Sequence, residues 1–181
     1  IFGFTACGSE KEIPAYEQEI LDYQQEKVDS AKQVAKEIAL PYLITFMEES
    51  QLHHFDKYTA EETSSMVAYE VANKYGFALS VDGNAMKSAV ISFNSAAEAV
   101  GTVTSIGEPD AKVDGKTIVV EVPVTGTLKN AKAEMIFGND GFMRLESASL
   151  NEEANLSDLM TKAALNTLIG MGTVFIVLIL I

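Results

Sequence analysis

The chain has 181 residues with 26 acidic against 13 basic side chains, a formal net charge of −13. Such an excess of negative charge excludes a surface built for nucleic acid phosphates or anionic lipid headgroups. A single cysteine, Cys7, excludes an internal disulfide.

The chain opens Ile1-Phe-Gly-Phe-Thr-Ala-Cys-Gly-Ser9 and turns abruptly polar at Glu10-Lys-Glu12. An apolar stretch closing in small residues is the tail of a secretory signal peptide, so residues 1–8 read as its end and the following domain as exported. Phe4-Thr-Ala-Cys7-Gly-Ser resembles a bacterial lipobox, which implies that Cys7 becomes the lipidated first residue of the mature protein. Phe4 departs from the usual Leu of that pattern. A lone thiol in an exported domain invites unwanted pairing, and lipidation resolves it; the plain alternative is an incidental or buried thiol.

Residues 9–155 are long enough for one domain with its own core, and no repeat, low-complexity run or interior linker divides them. Ile13, Tyr16, Ile20, Tyr23, Val28, Ala31, Val34 and Ile38 keep a 3.6-residue period and predict a helix from Pro14 to Leu40. Pro14 suits its first turn, and Pro41 stops or kinks it. A second helix is expected from Pro41 to Phe55, burying Leu43, Phe46 and Met47. Thr59-Ala-Glu-Glu62 is a capping box opening a third helix, which Gly76 stops after Tyr75. A fourth helix runs from Asn84 to Val100 with Met86, Val90, Phe93, Ala97 and Val100 on one face.

The period then changes from 3.6 to 2. Thr102 to Ile106 is β-branched, Val113-Asp-Gly-Lys116 is a hairpin signal, and Ile118, Val120, Val122 and Val124 alternate with the opposite face. Ala131, Ala133, Met135 and Phe137 do the same on the next run. Gly138-Asn-Asp-Gly141 turns the chain again into Phe142 to Leu150. Pro123 requires its strand to be an edge or to be bulged there. The fold expected is α+β: N-terminal helices packed on a curved antiparallel sheet of about four strands. That order resembles cystatin-like exported domains.

Chemistry-bearing residues are sparse. Adjacent helical residues point about 100° apart, so His53 and His54 cannot converge on one metal and read as surface histidines. Glu48-Glu49, Glu61-Glu62 and Glu152-Glu153 read as solvated faces or caps. Tyr16, Tyr23, Tyr69 and Tyr75 either line a cavity between helices and sheet or complete the core with their hydroxyls at its rim. No nucleophile elbow, phosphate loop or second cysteine is present, so the domain is expected to be non-catalytic and to hold no metal.

Residues 156–181 form a juxtamembrane segment and an apolar run. From Ala163 to Ile181 there is no charge, and from Val174 every residue is large and apolar. A bilayer core about 30 Å thick needs roughly 20 such residues as helix, so one transmembrane helix is expected. The run has no Lys or Arg to close it, which predicts a sequence cut short, with a cytoplasmic tail beyond. Ala163, Asn166, Gly170, Thr173 and Val177 recur at 3-4-3-4 spacing along one face, where small residues admit another helix and Asn166 and Thr173 can hydrogen-bond across it. Gly172 lies off that face. Leu165, Ile169, Phe175, Ile176 and Ile179 suit lipid. The alternative is a plain anchor with incidental glycines.

Ala163 to Ile181, and above all Leu168-Ile-Gly-Met-Gly-Thr-Val-Phe175, resembles the membrane helix of the gamma subunit of sodium-pumping, biotin-dependent decarboxylases acting on oxaloacetate or methylmalonyl-CoA. The match covers about a tenth of the chain, and its two glycines each oppose helix propensity by about 1 kcal/mol. The resemblance implies a non-catalytic subunit that ties together a carboxyltransferase alpha subunit and a sodium-pumping beta subunit. Biotin and sodium would be handled by those partners, with no cofactor on this chain. The domain would lie outside the cell membrane, with the C-terminus cytoplasmic. The alternative is a free-standing lipoprotein whose cystatin-like domain binds a small molecule or envelope component.

Overall fold

In the computed structural model, the described residues are 13–154 and 156–180, with side chains described for 13–154 and 160–180. They form an α+β domain of N-terminal helices on an open antiparallel sheet, followed by one apolar helix.

Helix α1 (Ala15–Val34) begins after Pro14 and passes through a π turn, Ala35–Ala39, into α2 (Leu40–Ile44). Pro41 does not stop this run. A proline cannot donate to the carbonyl four residues back, and its ring crowds that oxygen. The π turn just upstream, where the Leu40 N–H reaches Ala35 O, shifts the ladder by one residue and takes up the misfit.

The expected helix from Pro41 to Phe55 breaks instead. After α2 come two short 3₁₀ turns, Thr45–Met47 and Glu49–Gln51, separated by an extended Glu48. Carbonyls orphaned at the break find a partner in Asn94, whose Nδ2 donates to Phe46 O (3.2 Å) and Glu48 O (3.1 Å). Leu43 and Phe46 are buried as expected, while Met47 is only partly so.

Helix α3 (Ala60–Tyr75) carries the full capping box: Thr59 Oγ1 accepts from Glu62 N–H and Glu62 Oε2 accepts from Thr59 N–H. It ends at Gly76. Helix α4 (Gly83–Val100) is capped by Asp82, whose carboxylate accepts the Ala85 N–H at 2.9 Å. Its first residue has almost no room: a Cβ on Gly83 would sit 1.8 Å from Ala60 O. Only glycine permits the starts of α3 and α4 to meet this closely.

The sheet contains β1 (Val103–Ile106), β2 (Asp110–Asp114), β3 (Thr117–Gly126), β4 (Asn130–Gly138) and β5 (Leu145–Glu152), all antiparallel. Five strands fill four positions, because β1 and β2 lie end to end along one edge of β3. The interruption, Gly107-Glu-Pro109, explains Pro123. That residue sits inside β3, which is central, but the place its missing N–H would have served is where the neighbouring strand breaks. Its carbonyl still accepts from Gly107 N–H at 2.8 Å. Gly115 (φ +57) is the first of the two residues joining β2 to β3, a position that a type II′ turn reserves for glycine.

Alternation assigns the faces. Ile118, Val120, Val122 and Val124 of β3 and Ala131, Ala133, Met135 and Phe137 of β4 are all at most 2% exposed. They pack under Phe46 and the buried face of α4, chiefly Met86, Val90 and Phe93. Edge strand β5 is protected: its Leu150 N–H donates to Ser92 Oγ (3.1 Å), and Leu145 bonds both ways with the 80–82 segment.

Candidate functional site

Helix α5 (Leu156–Leu180) stands clear of the domain. Its stretch Met160–Leu180, 21 residues, is long and apolar enough to cross a membrane, and none of it is buried against the rest of the chain. At 1.5 Å per residue it is about 31 Å long, matching a hydrocarbon core of about 30 Å.

Ala163, Asn166, Gly170, Thr173 and Val177 occupy one arc of about 80° on this helix, and Gly172 lies about 140° from its middle. The five on the arc are all exposed. Nothing lies within 4 Å of a Cβ built at Gly170 or Gly172, so no neighbour among the described residues accounts for either glycine. One expected contact changes. Thr173 Oγ1 donates to Ile169 O of its own helix at 2.8 Å, as Thr167 Oγ1 does to Ala163 O at 2.9 Å. With its proton spent, the Thr173 hydroxyl can only accept across a seam. Cys7 and the lipobox around it lie outside the described residues, as does Asn155.

In the domain, the two histidines diverge. His53 is exposed, with Nδ1 2.6 Å from Asp56 Oδ2. His54 departs from a plain surface histidine: it is half-buried, packs edge-on against Phe55 with ring centroids 4.6 Å apart, and places Nε2 3.1 Å from Glu70 Oε1. The second oxygen of Glu70 accepts a 2.5 Å hydrogen bond from Tyr42 Oη. Tyr42 is 5% exposed, and burial first, then its bond to Glu70, pushes its pKa well above the tyrosine norm. It stays a proton donor.

This Tyr42–Glu70–His54 cluster pins the broken segment after α2 onto α3. Sequence reading missed it because its members sit 12 and 16 residues apart on three different elements. Periodicity places Tyr42 beside Pro41 and says nothing of Glu70. Of the tyrosines expected at a core rim or cavity, Tyr16 and Tyr69 are 64% and 71% exposed, Tyr23 is 56% exposed and lines a small cleft beside the β4–β5 turn, and Tyr75 packs partly against the core. Among the described residues, no group of three or more His, Asp or Glu side chains could hold a metal ion.

No protein-family model, curated protein or solved structure matches the chain. One C-terminal helix long and apolar enough to cross a membrane, with a face of small residues left exposed among the described residues, is the feature on which a functional reading rests.

Proposed function

We propose that this chain is a non-catalytic anchoring and assembly subunit of a sodium-translocating, biotin-dependent decarboxylase, seated in the cell membrane with its folded domain outside and its C-terminus cytoplasmic. The observation that carries the reading is the exposed arc of Ala163, Asn166, Gly170, Thr173 and Val177 on an otherwise apolar helix. Gly170 in mid-helix costs about 1 kcal/mol in helix propensity, and close approach of a second helix along the arc offsets that cost. The resemblance of Leu168 to Phe175 to the gamma-type helix names the partner: the membrane-embedded beta subunit, with the carboxyltransferase alpha subunit bound in turn. Biotin and sodium then belong to the partners. In this reading Cys7, as a lipidated N-terminus, is a second tether.

The test is co-purification in mild detergent at native expression. Wild type should carry alpha and beta subunits. Gly170→Leu should still insert, because Leu favours the bilayer. It should nevertheless hold the partners about tenfold less well, since a side chain there parts the helices and breaks interhelical hydrogen bonds worth about 0.6–2 kcal/mol each. Gly172→Leu, off the arc, should have a smaller effect. Retention of both partners by Gly170→Leu, or their absence from wild type, overturns the reading.

A further inference from the structure

Among the described residues, the N-terminal half of α1 is not buried against the core. Every residue from 13 to 26 is exposed, and burial begins at Val28. Yet the face that the helix buries further along, through Val28, Ala31 and Val34, continues outward as Tyr16, Ile20 and Tyr23, with Ile13 just before the helix start. These four are 51–64% exposed. The helix therefore overhangs the domain by about 18 Å, and among the described residues only Lys27 overlies its apolar stripe, with Nζ 4.7 Å from the Tyr23 ring centroid.

The overhang meets the β4–β5 turn at a corner. A shallow, open depression of about 590 Å³ lies on the stripe, lined on this one helix by Tyr16, Ile20 and Tyr23 with Glu19, Asp22 and Glu26 beside them. Tyr23 and Glu26 also line a cleft of about 190 Å³ against Gly138, Asp140, Gly141 and Met143. Asp140 Oδ1 holds that turn by accepting from the Phe142 and Met143 N–H groups, and Phe142 at its tip is 83% exposed.

We infer that this corner docks an amphipathic helix of another protein, one with apolar residues on its inner face and Lys or Arg along its flanks. The charge pattern selects the occupant. Residues 13–26 carry Glu17, Glu19, Asp22 and Glu26 and no basic side chain, and the first cation, Lys27, lies at the inner end of the stripe against the Tyr23 ring. A second copy of this chain would set those carboxylates against one another, and anionic headgroups would repel them. A basic-flanked helix gains the apolar contact and the charge complementarity together. The inference goes beyond the role of α5 and does not depend on what α5 packs against.

The experiment uses the full chain in nanodiscs and two synthetic helical peptides of about 18 residues with Leu at a and d positions. One peptide carries Lys at its e and g positions, the other Glu. The chain has no tryptophan, so Tyr23→Trp gives a clean emission probe at the stripe. The Lys peptide should blue-shift that emission and bind at least tenfold tighter than the Glu peptide, with the difference narrowing in high salt. Ile20→Asp should weaken Lys-peptide binding at least tenfold, while Tyr69→Ser, an equally exposed aromatic on α3, should leave it unchanged. Equal binding of both peptides, or insensitivity to Ile20→Asp, overturns the inference. A blue shift on nanodisc insertion without peptide assigns the stripe to lipid, and dimerisation abolished by Ile20→Asp assigns it to a second copy. Either result overturns the inference too.

Discussion

Replacing Gly83 with alanine tests the packing of the domain at its tightest point. A Cβ there would lie 1.8 Å from Ala60 O and 2.4 Å from Ala60 C, so the starts of α3 and α4 would have to part by about 1.5 Å to reach ordinary contact. Neither end yields freely. Ala60 follows the Thr59 capping box, and Gly83 follows Asp82, which caps α4 and sits 3.4 Å from Arg144. Overpacking a core costs about 1–3 kcal/mol, and the top of that range applies where the obstacle is backbone. Against it, alanine removes unfolded-state freedom and favours helix, worth about 0.4–1 kcal/mol. The steric term wins, leaving a net loss of about 2 kcal/mol, or about 4–8 °C in Tm for a chain of this size. Thermal and urea unfolding in mild detergent, followed by near-UV circular dichroism, measures it. Gly115→Ala is the control: it meets nothing within 4 Å but has φ +57, so it should cost only the left-handed penalty of about 1–2 kcal/mol. A Gly83→Ala protein as stable as wild type refutes the close approach of the two helices.

Tyr42→Phe should cost about 1 kcal/mol at neutral pH by removing the bond to Glu70. The folded chain holds the Tyr42 proton past the usual pKa of 10.0, whereas the unfolded chain releases it there. The stabilisation is therefore complete below pH 10 and falls by about 1.4 kcal/mol per pH unit above it. Urea unfolding at pH 8 and pH 11 should show the wild-type advantage shrinking by about that amount, and parallel pH curves would contradict it. Thr59→Ala removes one arm of the capping box and should cost about 1 kcal/mol, with hydrogen exchange accelerating first at Glu61 and Glu62.

Sequence reading succeeded where one local rule acted alone. The alternation of Ile118 to Val124 and of Ala131 to Phe137 needs only the two-residue period of a strand, and both inner faces are buried as alternation requires. The capping box is equally local. It failed where long-range partners decide. Pro41 stays in a helical run because of the π turn before it, and the helix after it breaks at Glu48, where Asn94, from a helix 46 residues later, donates to the loose carbonyl. Pro123 correctly signalled an irregularity, but the break lies in the neighbouring strand. Its missing N–H is a constraint on the pair, and a single strand's sequence cannot say which member gives way.

The same limit governs the surface. A 3.6-residue period reports that a helix has an apolar face without saying where the supporting sheet ends. Ile13 to Ile38 reads as one amphipathic helix, yet the sheet covers only the part from Val28 onward, and Tyr16 is left in the open rather than at a core rim. On α5 the opposite holds: uniform apolarity forecasts exposure to lipid, and the small-residue arc stands out because none of the described residues lies against its glycine. The two uncovered apolar surfaces differ in their rims. The α1 stripe is bordered by Glu17, Glu19, Asp22 and Glu26, whereas the α5 arc is bordered by Ile169, Val174 and Leu178. On the two proposals made above, the α5 arc would hold a partner in the membrane and the α1 stripe one beside it.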